Sequence, residues 1–127
     1  MKILIDTHVF LWGIQSEEKL SGKVRTLLPA SDVWISVASL WEIIAKVQSG
    51  KLTLPKPVGA YVTAKLKANG VSVLSLTFDH VLRLEELQLH HRDPFDRILI
   101  AQSLAEELPL VTADPLFARY PVEVIWN

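Results

Sequence analysis

The sequence contains no cysteine, and this absence removes three kinds of site at once. It excludes a disulfide scaffold, a zinc-thiolate site and a cysteine nucleophile. No apolar run approaches the ~20 residues of a transmembrane helix, and the apolar stretch before Asp6 is too short for a secretory signal. We therefore expect a cytoplasmic protein outside the membrane, in which any metal would be bound by oxygen or histidine ligands.

The chain also lacks an excess of charge of either sign. Its 13 Lys and Arg residues nearly balance its 14 Asp and Glu residues, for a formal net charge of −1. This balance gives no overall attraction to a polyanion, so local groups would have to hold any nucleic acid. Because 50% of the 127 residues are hydrophobic, a core can form without metal or disulfide support. We expect a single domain over residues 1–127.

Short β-branched runs alternate with longer helical patterns along the chain. Five runs predict strands, namely Lys2–Ile5, Val33–Ser36, Val71–Leu76, Leu110–Thr112 and Val122–Trp126. Helices are predicted directly after Asp6, over Ser21–Leu28, from Ser36 up to Gly50, after Pro57 up to Gly70, over Thr77–Leu89 and over Pro94–Leu108. This order predicts a three-layer α/β/α fold around a mainly parallel five-stranded sheet, in which ligands bind beyond the carboxyl ends of the strands.

Two acids stand where predicted strands end. Asp6 follows the first strand directly, and Asp114 comes two residues after the fourth. Both side chains should therefore lie at the carboxyl edge of the sheet. Aspartate between a strand and a helix is also a preferred N-cap, and a cap alone is the simpler explanation of either residue.

A third and a fourth acid flank the start of the last helix, in Asp93-Pro94-Phe95-Asp96. Asp93 precedes a proline at the first helical position, so we predict that it is the N-cap. Asp96 shares a helix face with Leu99 and Ile100, three and four residues on. A carboxylate on such an apolar face needs a partner, because burying an unpaired charge is costly.

Glu42 has two possible explanations from the sequence. It could be a surface residue paired with Lys46 four residues later. Alternatively, Ser39, Glu42 and Lys46 form a narrow polar stripe, crowded by Trp41 and Ile43, that lines a cleft beside the first strand. In the second case a further carboxylate joins the acids at the edge of the sheet.

Acids from four separate segments are thus expected at one edge of the sheet, and we call them the four-acid cluster: Asp6, Glu42, Asp96 and Asp114. Carboxylates brought together repel one another, which raises their pKa values. Mg²⁺ or Mn²⁺ would relieve the repulsion, because hard cations bind carboxylate and water oxygens and leave room for a substrate phosphate. The cluster therefore indicates a site for a divalent metal ion.

Four segments in order along the chain resemble the successive motifs of the PIN domain, and within that family the VapC-like toxins of bacteria. These are Asp6-Thr7-His8, Ser36-Val37-Ala38-Ser39-Leu40-Trp41-Glu42-Ile43, His91-Arg92-Asp93-Pro94-Phe95-Asp96-Arg97 and Thr112-Ala113-Asp114-Pro115-Leu116-Phe117. The resemblance implies that the four-acid cluster is the metal-binding and catalytic quartet, with Thr112 as a supporting hydroxyl. It further implies an endoribonuclease that is the toxin of a type II toxin-antitoxin pair, is inhibited by a small antitoxin and assembles as a homodimer.

Other polar residues near the motifs have less certain roles. Arg92, Arg97 and Lys46 flank the acids and could hold RNA phosphates, although each could equally be a solvated surface charge. Asp93 is an acid beyond the quartet. His8, His80, His90 and His91 lack zinc-ligand spacing, and we expect His8 to be packed beside the site and His90-His91 to lie in a polar turn.

Alternative functions fit the motifs less well. A haloacid-type phosphatase needs an Asp-x-Asp sequence after the first strand, where Asp6 is followed by Thr7 and His8. A receiver domain needs an aspartate at the end of the third strand, which the sequence lacks. A non-catalytic PIN-like scaffold that binds RNA or protein remains the main alternative, although nothing in it would require four acids together.

Overall fold

The computed structural model describes residues 1–127 and places five strands in one sheet. These strands are β1 (Lys2–Ile5), β2 (Asp32–Ser36), β3 (Ser72–Leu74), β4 (Leu110–Val111) and β5 (Val124–Ile125). Their spatial order is β3-β2-β1-β4-β5, and every neighbouring pair is parallel. The predicted α/β class and five-stranded sheet are therefore confirmed, with a sheet that is parallel throughout.

Six α-helices connect and cover the strands: α1 (Thr7–Gln15), α2 (Gly22–Leu27), α3 (Val37–Gln48), α4 (Val58–Ala68), α5 (Phe78–Leu82) and α6 (Pro94–Glu106). Four 3₁₀ turns complete the structure, at Glu17–Lys19, Leu28–Ala30, Arg83–Glu86 and Pro115–Arg119. None of the helices combines the length and the apolar character that crossing a bilayer requires.

Side chains that alternate along the strands form two cores on opposite faces of the sheet. Ile3 and Ile5 of β1 belong to the larger core, which includes residues of α1, α2, α3 and α4. Leu4 belongs to the second core, together with Ile100 of α6 and Phe117. Each fully buried aliphatic or aromatic side chain contributes about 1.5–3 kcal/mol of transfer free energy. The two cores give the predicted three layers.

Three strands are shorter than predicted, namely β3, β4 and β5, whereas β1 spans its predicted residues and β2 begins one residue earlier. In the pairing of β2 with β3, Ser36 is opposite Leu74, and the chain of β2 turns into α3 immediately afterwards. In the pairing of β1 with β4, Ile5 is opposite Val111 just before α1 begins. One further backbone hydrogen bond follows β1 and one follows β4, from the N–H of Asp6 to Val111 and from the N–H of Thr112 to Ile125, and the ladders stop where the chain turns into helical segments.

The fifth predicted helix is also shorter than expected. It ends at Leu82 and continues as the 3₁₀ turn Arg83–Glu86, rather than reaching Leu89. The guanidinium of Arg97 donates hydrogen bonds to the carbonyl oxygens of Leu84 and Leu87, at 3.3 and 3.4 Å. A distant side chain thus binds carbonyl groups that a continued helix would use internally, which local periodicity cannot predict.

Three strands pass directly into helical segments at the carboxyl edge of the sheet. Asp6 after β1, Ser36 at the end of β2 and Asp114 after β4 are the N-caps of the segments that follow. Their side-chain oxygens accept backbone N–H groups at 2.8, 3.0 and 2.9 Å. The N-cap role considered for Asp6 and Asp114 is confirmed, and the same edge carries the polar groups described next.

Candidate active site

The four-acid cluster comes from four elements that meet at the carboxyl edge of the sheet. Asp6 and Asp114 follow β1 and β4, Glu42 lies in α3, and Asp96 lies in the first turn of α6. The charges of Glu42 and Asp6 both raise the pKa of Asp96, in addition to the larger effect of its burial. The structure therefore brings the predicted acids into one interacting group.

Asp6 is bound on both carboxylate oxygens. Its Oδ1 accepts the N–H of Val9, and its Oδ2 accepts the hydroxyl of Thr112 at 2.5 Å. The same Thr112 oxygen accepts the N–H of Asp114 at 3.1 Å, so one hydroxyl connects two of the acids. Burial raises the pKa of Asp6, against the lowering effect of these hydrogen bonds, and the charge of Glu42 raises it further.

Glu42 is only 2% exposed, so the alternative of a surface glutamate is wrong. Its Oε1 accepts the hydroxyl of Thr7 at 2.6 Å, and its Oε2 lies 2.8 Å from Nζ of Lys46. The predicted pairing with Lys46 is therefore present, but it lies inside the cluster. Burial lowers the pKa of Lys46, but the hydrogen bond and charge of Glu42, with smaller effects from Asp93 and Asp96, raise it overall.

His91 lies between the remaining two acids. Its Nε2 is 2.9 Å from Oδ2 of Asp114 and 3.1 Å from Oδ2 of Asp96. These three donor atoms lie within 4.8 Å of one another, close enough for a shared ion. His91 directly follows the turn at Leu89 and His90, and its ring is buried among polar partners.

Asp96 has a strongly raised pKa in the site. Burial, followed by the charge of Asp93, raises its pKa to about 7, while the nearby imidazole of His91 opposes the shift. A carboxyl with this pKa is protonated in a large fraction of molecules at neutral pH. The metal-free cluster therefore does not hold four full negative charges.

Asp93 is the N-cap of α6, as predicted. Its Oδ1 accepts the N–H groups of Phe95 and Asp96 at 2.8 and 3.2 Å. Pro94 occupies the first helical turn, where its missing N–H costs nothing. Because Asp93 raises the pKa of Asp96, the cap also contributes to the electrostatics of the site.

The basic residues considered as phosphate ligands differ in their availability. In addition to its hydrogen bonds to Leu84 and Leu87, Arg97 donates to the carbonyl oxygens of Gln88 and His91, at 3.0 and 3.3 Å. It therefore holds the segment that precedes α6, which argues against the predicted contact with an RNA phosphate. Arg92 is exposed, and the structure assigns it no hydrogen bond to another side chain.

An unpaired hydroxyl and two aromatic rings adjoin the acids. Ser39 precedes Glu42 by one turn of α3, and its buried Oγ has no hydrogen-bond partner. Trp41 is 64% exposed and meets Phe95 edge to face, with 5.2 Å between ring centroids and an angle of 89°. These aromatic residues directly precede Glu42 and Asp96 in the sequence, so an aromatic pair with one exposed ring, that of Trp41, borders the cluster.

Of the remaining histidines, His80 and His90 contact residues outside the four-acid cluster, whereas His8 acts on Asp6. His80 is buried, and its Nε2 lies 2.9 Å from Oε2 of Glu106. His90 lies in a turn, as expected, and packs against Tyr120 with 5.2 Å between ring centroids. His8 is exposed, its ring lies 5.8 Å from that of Trp12, and its charge lowers the pKa of Asp6.

Sequence reasoning missed two residues that contact the cluster. Thr7 was noted only as part of a motif, although its position one residue after Asp6 places it at the same edge of the sheet. For His91, the nearby Asp93-Pro94 cap is a local signal of a constrained turn, but no spacing in the sequence indicates that its ring faces Asp114, 23 residues away.

Comparison with known proteins matches the chain to the family model of the PIN domain over residues 3–123. No curated protein sequence matches significantly. Among solved structures, VapBC2 from Rickettsia felis bound to a promoter DNA fragment has a TM-score of 0.73, with 17% identity and full coverage of both chains. FitAcB from Neisseria gonorrhoeae has a TM-score of 0.70 with 18% identity over 100% of this chain and 97% of that chain.

A third solved structure, VapBC-5 from Mycobacterium tuberculosis, has a TM-score of 0.64 and 22% identity over 99% of this chain and 98% of that chain. At such identities the likeness establishes a shared fold. It extends over almost the whole length of the compared chains, so the sheet, its order and its covering helices are common to them.

Proposed function

The chain belongs to the PIN domain family, and from this premise we propose that it is a Mg²⁺- or Mn²⁺-dependent endoribonuclease. The observation that carries the proposal is the four-acid cluster at the carboxyl edge of a parallel sheet. Ligands of such folds bind at this edge. Only one cation, Lys46, is bonded to any of the four acids, so the cluster retains negative charge that a divalent ion can balance.

The donor set fits a hard divalent cation. All four ligands are carboxylates, which Mg²⁺ and Mn²⁺ prefer, and none is a sulfur atom. The buried Oγ of Ser39 lacks a partner on the same face of α3 as Glu42, and such a group calls for a ligand or a water molecule. We propose that Asp6, Glu42, Asp96 and Asp114 hold the ion.

When bound there, the ion would lower the pKa of a water molecule and neutralise charge that develops on a phosphodiester. The chain's own hydroxyl and ammonium groups orient the carboxylates for this task. Thr7 and Thr112 each donate to one carboxylate oxygen, of Glu42 and Asp6 respectively. Lys46 holds the other oxygen of Glu42, so the direction of its remaining lone pairs is restricted.

RNA is the substrate class that the surroundings of the cluster favour. An exposed Trp41 in contact with Phe95 borders the acids, and unstacked bases of single-stranded RNA commonly stack on such rings. Arg92 is exposed nearby in the sequence and is available for a phosphate. A net charge of −1 makes these local contacts necessary, because the chain as a whole does not attract RNA.

We further propose that a small antitoxin protein inhibits the nuclease and that the chain forms a homodimer. The compared structures from Rickettsia felis and Mycobacterium tuberculosis are named as VapBC, the latter as a toxin-antitoxin system. Their likeness to this chain covers its full length, which supports a comparable arrangement here. Purification with and without the protein encoded next to it would test the partner.

Cleavage of purified cellular RNA with Mg²⁺, with Mn²⁺ or with a chelator tests the catalytic proposal, with sequencing of the new ends. We expect cleavage only with a divalent ion, and none from folded Asp6→Asn or Asp96→Asn. Asp79→Asn is the matched control, because this exposed aspartate of α5 pairs with Arg83 away from the site. RNA binding without cleavage under every condition would instead favour the non-catalytic scaffold.

A further inference from the structure

The imidazole of His91 is held in one tautomer by its own neighbourhood. Its Nδ1 accepts the backbone N–H of Asp93 at 3.2 Å. A nitrogen that accepts a hydrogen bond carries no proton, and a neutral imidazole has one N–H group, so the proton of His91 is on Nε2. That N–H donates to Oδ2 of Asp114 at 2.9 Å, and Nε2 also lies 3.1 Å from Oδ2 of Asp96.

This tautomer decides between two roles for His91. Its Nε2 and one oxygen of each aspartate lie within 4.8 Å, the arrangement of a His-Asp-Asp metal site. Metal ligation through Nε2 would require the ring proton to move to Nδ1, where it would face the N–H of Asp93. We propose that His91 is instead a positioning residue, whose N–H donates to Asp114 while Nε2 lies against Asp96, so that the imidazole orients both acids for the ion; this rests on the proposed function.

Two aromatic residues that follow β4 hold His91 in place, one through its backbone and one through its ring. The backbone N–H of His91 donates to Oη of Tyr120 at 2.9 Å. The ring meets Phe117 with 5.5 Å between centroids, and both aromatic residues are buried. His91 therefore joins the segment after β4, which supplies Asp114, to the start of α6, which supplies Asp96.

Two carboxylates on different elements need such a bridge because they repel each other when no metal is bound. A carboxylate has about four lone-pair positions. Asp114 uses Oδ1 for the N–H of Leu116 and Oδ2 for His91, so its plane is set by two donors. The remaining lone pairs of both acids stay free for an ion, in a direction that the imidazole determines.

His80 offers a matched control within the same chain. It is equally enclosed, its Nδ1 accepts the N–H of Thr77 at 3.0 Å, and its Nε2 lies 2.9 Å from Glu106. The same hydrogen-bond pattern thus occurs away from the four-acid cluster. Loss of the His80 imidazole removes a partly buried histidine-carboxylate pair without touching a proposed metal ligand.

The first experiment measures the tautomer in metal-free protein by long-range ¹H–¹⁵N correlation of the imidazole nitrogens. We expect His91 to show a protonated Nε2 and an unprotonated Nδ1, with His80 showing the same pattern. An unprotonated Nε2 on His91 would overturn the proposal directly, whether or not any variant folds.

The second experiment measures the Mn²⁺ dissociation constant of folded proteins by calorimetry. Removal of groups that orient metal ligands costs about 10–100-fold in affinity, and we expect that loss for His91→Leu. His91→Gln keeps an N–H donor and should recover most of the affinity. His80→Leu should lower the melting temperature and leave Mn²⁺ binding unchanged. Wild-type affinity in His91→Leu, or no recovery in His91→Gln, would overturn the proposal.

Failure of this inference is distinguishable from failure of the proposed function. If wild-type protein binds no Mn²⁺, the metal-dependent nuclease and the positioning role both fall. If wild-type protein binds Mn²⁺ and cleaves RNA, but electron spin echo spectra of the bound Mn²⁺ show a directly coordinated nitrogen, only the positioning role falls. We expect coordination by oxygen alone.

Discussion

Individual acids of the four-acid cluster are held mainly by neutral donors. Thr112 and Thr7 donate hydroxyl groups to Asp6 and Glu42, and only Glu42 also meets the ammonium group of Lys46. A hydroxyl donor fixes the direction of a carboxylate but carries no net charge of its own. The carboxylates are thus oriented without being neutralised, which leaves charge for a divalent ion.

Trp41 is the residue whose exposure is hardest to explain by stability. We expect Trp41→Ala to raise KM for RNA by about 5–100-fold with kcat nearly unchanged, because stacking of one base contributes about 1–3 kcal/mol. Trp41→Phe should retain most of the affinity. Steady-state cleavage of a short single-stranded RNA would measure both. A change of oligomeric state with KM unaltered would show that the ring serves a protein interface instead.

Among the secondary-structure elements, the start of α6 combines a stability role with an electrostatic one. We expect Asp93→Ala to lower the free energy of unfolding by about 1 kcal/mol, as for other lost N-caps. Asp93→Asn should keep the cap, because an amide oxygen can accept the same N–H groups. Chemical denaturation compares the two variants.

Asp93→Ala and Asp93→Asn also distinguish the effect of the N-cap on stability from the effect of the Asp93 charge on the pKa of Asp96. Both remove the negative charge that raises the pKa of Asp96, so both should lower that pKa equally. Carboxyl titration followed by NMR would report it. If Asp93→Ala kept full stability but abolished Mn²⁺ binding, Asp93 would be a metal ligand rather than a cap.

For the whole molecule, metal binding and folding should be coupled. An ion that binds only the folded form stabilises it by about 2.7 kcal/mol at a hundredfold excess over Kd. For a chain of this size we expect the melting temperature to rise by several degrees in millimolar Mn²⁺. Asp96→Asn should show a smaller rise. A melting temperature indifferent to Mn²⁺ in the wild-type protein would contradict the metal site.

Stability of the metal-free protein should depend on pH with an unusual sign. The pKa of Asp96 is about 7 in the folded protein, against 3.8 for the free group. Between these values the folded form binds a proton that the unfolded chain does not, so the free energy of unfolding rises as pH falls through this window. Asp6, whose pKa is also raised, adds to the trend.

Thermal melts in chelator from pH 8 to pH 5 would measure this dependence. Asp96→Asn should flatten it, because the amide does not titrate, whereas Asp79→Asn should leave it unchanged. If the melting temperature of the wild-type protein instead fell steadily as the pH was lowered from 8 to 5, burial and mutual repulsion would not be raising the pKa values of these acids. Below pH 4 the remaining carboxylates become protonated and their native contacts weaken.

The sequence by itself determined the order of strands and helices, the parallel sheet and the edge where the acids lie. These features follow from local rules, since side chains alternate along a strand and caps such as Asp6, Asp93 and Asp114 mark helix starts. The candidate acids could be named for the same reason, because Asp6 and Asp114 stand where strands end.

Only the tertiary structure decided which groups each acid contacts. Thr7 meets Glu42 across 35 residues, and His91 meets Asp114 across 23. Arg97, which the sequence left between an RNA ligand and a surface charge, binds carbonyl oxygens near α5. Such contacts depend on how helices pack on the sheet, and packing is set by the summed burial of side chains distant in sequence, which no local pattern encodes.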